Sequence, residues 1–137
     1  MDLRKKTEMI VVHCAATKPS MDIGASEIKK WHVDDNGWDD IGYHYIIKRG
    51  GLVEVGRPEA FQGAHAPAAN SKSIGICLVG GMSEDGDDEN NFTIEQFLSL
   101  KDLLKRLLMT NSNIQEIVGH CDIQDNKPNC PGFNLKE

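Results

Sequence analysis

The chain has 137 residues, 39% of them hydrophobic and 26% charged, with a formal net charge of -6. That length suits one domain able to bury a core without staples. The acidic balance and scattered Lys and Arg exclude a nucleic-acid binder working through a basic patch, and also a basic helix lying on anionic lipid. No segment approaches the roughly 18 apolar residues of a membrane span.

Residues 9–13, MIVVH, form a short β-branched run and predict a buried strand. The basic residues before it do not make a signal peptide, because the apolar stretch is too short. Synthesis in the cytoplasm is therefore expected. Ser26 stands near the start of an amphipathic stretch in which Ile28, Trp31 and His32 recur at helical spacing. Asn36-Gly37 ends it with a pair that tolerates left-handed backbone. Residues 42–48 alternate as a strand, Arg49-Gly50-Gly51 signals a hairpin turn, and residues 52–55 return as its second strand.

Residues 57–72 show no period and predict an irregular loop. Residues 73–80 are almost continuously apolar and predict a central strand. The acidic stretch from Gly80 to Asn91 reads as a solvated loop and lacks the closing Glu of a calcium-binding EF-hand. Thr93 and Gln96 make a capping box for a helix reaching about Met109. Its apolar face is Phe97, Leu100, Leu103, Leu104, Leu107 and Leu108. Residues 114–118 predict a last strand, and the remainder is loop-like. The pattern predicts a single α/β (α+β) domain over residues 1–137, a central mixed sheet flanked by helices.

The four cysteines are Cys14, Cys77, Cys121 and Cys130. An even count permits two disulfides, but the composition is not that of a small secreted scaffold. Reduced thiols that are buried, catalytic or metal-bound are expected. Catalytic zinc takes three protein ligands and leaves a fourth position for water. His13 at the end of the first strand, His120 after the last strand and Cys130 in a Pro-rich loop are candidates, placed where sites are commonly built. Their spacing matches no short signature, and Cys121 is an alternative to Cys130.

VVHCAATKPS, the helix ending in KKWH, GWDDIGYHYIIKRGG, SIGICLVGG and GHCDIQDNKPNCPGF occur in this order. Together they resemble the zinc-dependent N-acetylmuramoyl-L-alanine amidases, the family that also includes animal peptidoglycan recognition proteins. The resemblance covers residues 8 to 135 and is best to the short, single-domain phage members. It implies a zinc cleft at one edge of the sheet, with one ion held by His13, His120 and Cys130. It implies Tyr43 as an assisting catalytic residue, and Lys127 as a second. Relatives place that lysine two residues before the ligand Cys, whereas here Pro128 intervenes and Lys127 lies three before it. His65 falls in a stretch that resembles the family's cleft-lining loop, which implies a substrate contact. His44 reads as a hydrogen-bonded structural histidine, and Cys14, Cys77 and Cys121 read as buried small hydrophobes.

The chemistry fits these residue types. Zinc lowers the pKa of bound water toward about 7 and polarises a carbonyl, while a phenol or ammonium can stabilise a developing oxyanion. The implied function is hydrolysis of the amide between N-acetylmuramic acid and L-alanine, as a phage endolysin acting on the cell wall. The competing reading is a binding module that holds peptidoglycan without cutting it, but there the zinc Cys is commonly replaced. The resemblance to phage members also implies a phage RNA polymerase as a partner, and a monomer is expected.

Overall fold

The computed structural model describes residues 1–122; Lys127, Pro128 and Cys130 lie outside the described residues. Five strands form one mixed sheet: β1 (Met9–Cys14), β2 (Tyr45–Ile47), β3 (Val53–Val55), β4 (Ser73–Leu78) and β5 (Glu116–Gly119). Their order is β3-β2-β4-β1-β5. β1 runs parallel to both β4 and β5, β2 runs parallel to β4, and only β3 is antiparallel. The parallel pairs need crossovers, which the loops and helices between them supply.

β1 and β4 are apolar runs because both of their faces are covered. On one face Ile10, Val12, Ile74, Ile76, Leu78 and Ile47 pack against Leu100, Leu103 and Leu107 of α2 (Ile94–Thr110). Each such side chain contributes about 1.5–3 kcal/mol on full burial. The opposite face carries two smaller clusters. Ile28 of α1 (Ala25–Lys30) packs with Ile41, Ile46, Cys77 and Val79. Met9 and Val11 are covered by Ala66 and Ala69 from the 57–72 loop. Side chains alternate along a strand, so His13 emerges on this second face, beyond Val11.

The capping box of α2 is present: Thr93 Oγ1 accepts from Gln96 N at 3.0 Å, and Gln96 Oε1 accepts from Thr93 N at 3.0 Å. Ser26 is the second residue of α1, and Gly24 is its N-cap, with Glu27 accepting from Gly24 N and Glu54 accepting from Ala25 N. A five-residue π turn, Trp31–Asp35, continues α1, and Gly37 follows with φ +72°. At the hairpin, Gly51 takes φ +95° and donates to Lys48 O at 2.9 Å.

The strand expected over 42–48 has a regular ladder only over Tyr45–Ile47. The reason is the 57–72 loop, which comes down on Gly42: Ala64 N donates to Gly42 O at 3.1 Å. A Cβ on Gly42 would lie 2.1 Å from the Ala64 carbonyl oxygen. Leu108, expected on the apolar face of α2, is 42% exposed, and Leu104 is half-buried. Gln96 occupies a fully buried place instead.

Candidate metal centre

His13 is the next-to-last residue of β1, one past the end of its ladder with β5, and His120 opens a 3-10 turn, His120–Asp122, directly after β5. Because β1 and β5 are adjacent and parallel, both histidines arrive at the same end of the sheet. β5 is an edge strand, so the pair sits toward one edge. Asp122 Oδ2 accepts from Gly119 N at 2.8 Å and closes the turn that aims His120. Both rings are buried, at 1% and 7% exposure.

The two Nδ1 atoms lie 2.9 Å apart, with the rings tilted edge to face at a centroid distance of 4.2 Å. Two nitrogens bound to one tetrahedral zinc, each about 2.0–2.1 Å from it, are separated by about 3.3 Å. The observed pair therefore fits a shared cation after a shift of a few tenths of an ångström. Among the described residues no three His, Cys, Asp or Glu side chains form a metal-holding group, and the expected third ligand, Cys130, lies beyond them.

The described cysteines suit ligation poorly. Cys77 is fully buried, and burial pushes its thiol well above the ordinary value even though a hydrogen bond with Tyr43 opposes the shift. Cys121, the alternative ligand, is only half-buried. Its pKa is also raised, first by desolvation and then by the neighbouring Asp122 carboxylate, which its thiol faces at 3.9 Å. Both favour the thiol over the thiolate that binds metal. Cys14, expected to be buried, is half-buried.

Tyr43 stands beside the pair. Its ring centroid is 5.1 Å from that of His13 and 5.6 Å from that of His32. His32 is held in turn by a hydrogen bond from Gly42 N to its Nδ1 at 2.9 Å, and it packs on Trp38. His44 is fully buried. Its Nδ1 accepts from Gly75 N at 3.0 Å and its Nε2 faces the Phe61 carbonyl at 2.7 Å. Desolvation lowers its pKa to about 4, so it is a neutral structural residue at neutral pH.

His65 is 8% exposed and lies behind His13, with its Nδ1 2.8 Å from His13 Nε2. Its Nε2 faces Ser73 Oγ at 3.3 Å. Burial, then the neighbouring His44 and His120, hold its pKa well below the ordinary value, which keeps it neutral. The sequence did not indicate Ser73 or Asn70 as parts of the site. Asn70 Oδ1 accepts from both His65 N and Ala66 N, at 3.0 and 2.9 Å, and so fixes the loop. The groove lined by Tyr45, Glu59, Leu103 and Arg106 lies on the α2 side of the sheet, away from the histidines.

Residues 3–133 match the family described as N-acetylmuramoyl-L-alanine amidase. The chain is 47% identical to an endolysin of Enterobacteria phage T3 and 46% identical to one of Escherichia phage T7. Each alignment covers 97% of this chain and 85% of the relative. Among solved structures it resembles the endolysin amidase LysCS of Clostridium intestinale URNW at a TM-score of 0.80 and 31% identity, covering 97% of this chain and 80% of that one. The fold is also that of the peptidoglycan recognition protein PGRP-SA of Apis mellifera, at a TM-score of 0.80 and 19% identity, over 98% of this chain and 82% of that one. The chain therefore belongs to the N-acetylmuramoyl-L-alanine amidase family and is a hydrolase of the amide bond between N-acetylmuramic acid and L-alanine in peptidoglycan.

Proposed function

We propose that this amidase is a zinc-dependent phage endolysin whose single ion is held by His13, His120 and Cys130. The observation that carries the metal reading is the convergence of His13 Nδ1 and His120 Nδ1 to 2.9 Å in a buried setting. Support for zinc comes from the family, whose members are in general zinc-dependent. Support for the lytic role comes from the phage relatives, which are named endolysins. The substrate is bacterial peptidoglycan. The enzyme is made in the host cytoplasm and acts on the wall.

When bound, zinc supplies a water that ionises near neutral pH and an electrophile for the scissile carbonyl. The chain's own residues do the rest. His13 and His120 orient the centre from two adjacent strand ends. The Tyr43 phenol, beside His13, donates a hydrogen bond to the oxygen on which charge develops. Lys127, outside the described residues, adds an ammonium to the same charge, and Cys130 supplies the anionic ligand. The polymerase contact rests on the resemblance alone.

The test is digestion of purified peptidoglycan by wild type and Tyr43→Phe. Wild type is expected to release new L-alanine amino termini without new reducing sugar ends. Tyr43→Phe should keep its zinc and lose about 10²-fold in turnover, the cost of one oxyanion donor. New reducing ends would replace the amidase reading with a glycosidase. A wild-type rate in the variant would reduce Tyr43 to a packing residue.

A further inference from the structure

The hydrogen-bond chain behind His13 has a direction set by its far end. Ser73, the first residue of β4, donates its one hydroxyl proton to the Ala69 carbonyl at 2.7 Å. Toward His65 Nε2, 3.3 Å away, the Ser73 oxygen must then accept. A proton on Nε2 leaves the neutral His65 ring with Nδ1 as its acceptor. The atom facing that acceptor, at 2.8 Å, is His13 Nε2. His13 therefore carries its proton on Nε2 and turns an Nδ1 lone pair toward His120 Nδ1. That tautomer is the one a metal needs at Nδ1.

We propose that His65 is a positioning residue: with Ser73 behind it, it locks His13 in the metal-ready tautomer and ring orientation before any ion is present. A metal-bound histidine usually passes its second N–H to a carboxylate, a carbonyl or water. Here the acceptor is another imidazole, and the fold has built a seat for it. The ring lies against Gly75, where a Cβ would come within 2.7 Å of His65 Cγ and Cδ2. Asn70 clamps the backbone of His65, and the rings of His65 and His13 meet edge-on at an interplanar angle of 87°. Burial and two engaged ring nitrogens suit holding His13 in place rather than touching the polymer.

The functional part of this proposal rests on the zinc reading, and two measurements separate the two. In metal-free wild-type protein at pH 8, long-range proton–nitrogen correlation spectra should show both His13 and His65 protonated on Nε2. His65 found protonated on Nδ1 overturns the proposal whatever the metal does. Zinc affinity is then read by competition with a chelating dye. His65→Leu removes the acceptor and should weaken zinc binding about 10- to 100-fold, the usual cost of an outer partner. His65→Asn sets an amide oxygen near the lost Nδ1 and should stay within about threefold of wild type, again on the outer-partner scale. Equal zinc affinity in His65→Leu and wild type refutes the positioning role. A wild-type protein that binds no zinc removes the metal reading, and the ring spectra alone then decide the direction of the chain.

Discussion

Replacing His120 by alanine is expected to lower peptidoglycan hydrolysis by at least about 10³-fold, the equivalent of about 4 kcal/mol of barrier. His120 stands on its short turn and meets His13 Nδ1 at 2.9 Å. Alanine removes that nitrogen and leaves β5 pairing untouched, because the ladder with β1 ends at Gly119. The variant should therefore unfold within a few degrees of wild type and carry little zinc. Amine release during digestion, thermal unfolding and metal content together check this. Activity within tenfold of wild type would mean that His120 is a structural histidine.

Gln96→Ala is expected to carry the largest stability loss of any polar substitution outside the centre, about 3 kcal/mol. Gln96 is fully buried. Its Nε2 donates to Val79 O at 2.7 Å and to Ile47 O at 3.1 Å, and its Oε1 accepts from Thr93 N. One side chain thus ties the start of α2 to the ends of β2 and β4. Ile47 O keeps a second bond, from Val79 N, but Val79 O and Thr93 N lose a buried partner. Each orphaned group costs about 1–3 kcal/mol, and the vacated volume adds to it. Against a total stability of about 5–15 kcal/mol, that is a large share. Chemical denaturation measures it directly. A loss below about 1 kcal/mol would show that water takes over these bonds.

The Gln96 case shows where pattern reading stops. Its role in the capping box is visible from the spacing Thr93 to Gln96, because that contact is local. Its contacts with Ile47 and Val79 depend on which strands end beside the helix, which no periodicity carries. The same division runs through the centre. MIVVH reads as a buried strand with a histidine at its end, and β1 places His13 there. GHC after the last strand puts His120 at the matching end of β5. Sequence order alone does not say that β1 and β5 are neighbours; the parallel pairing does. His65 falls in a loop without a period. Its place comes from Asn70, from Ala66 and Ala69 packing on Met9 and Val11, and from the missing side chain at Gly75. These are long-range contacts, and a loop of Ala, Gly, Pro and Asn does not announce them. The shortened β2 has the same origin, since the loop descending on Gly42 competes for its backbone.

The resemblance and the geometry support the centre in different ways. Motif order names His13, His120 and Cys130 together. The structure brings the first two into contact and makes Cys77 and Cys121 poor substitutes for the third. Desolvation that raises a thiol pKa disfavours the free thiolate at Cys77 and Cys121.

One zinc ion at this centre is expected to be required for hydrolysis. The direct measurement is metal content and L-alanine amino-terminus release on the same purified sample, before chelation, after chelation and after zinc is returned. One equivalent of zinc per chain is expected, with loss of hydrolysis when it is stripped and recovery in proportion to the zinc restored. Full hydrolysis by protein stripped of metal would contradict that requirement.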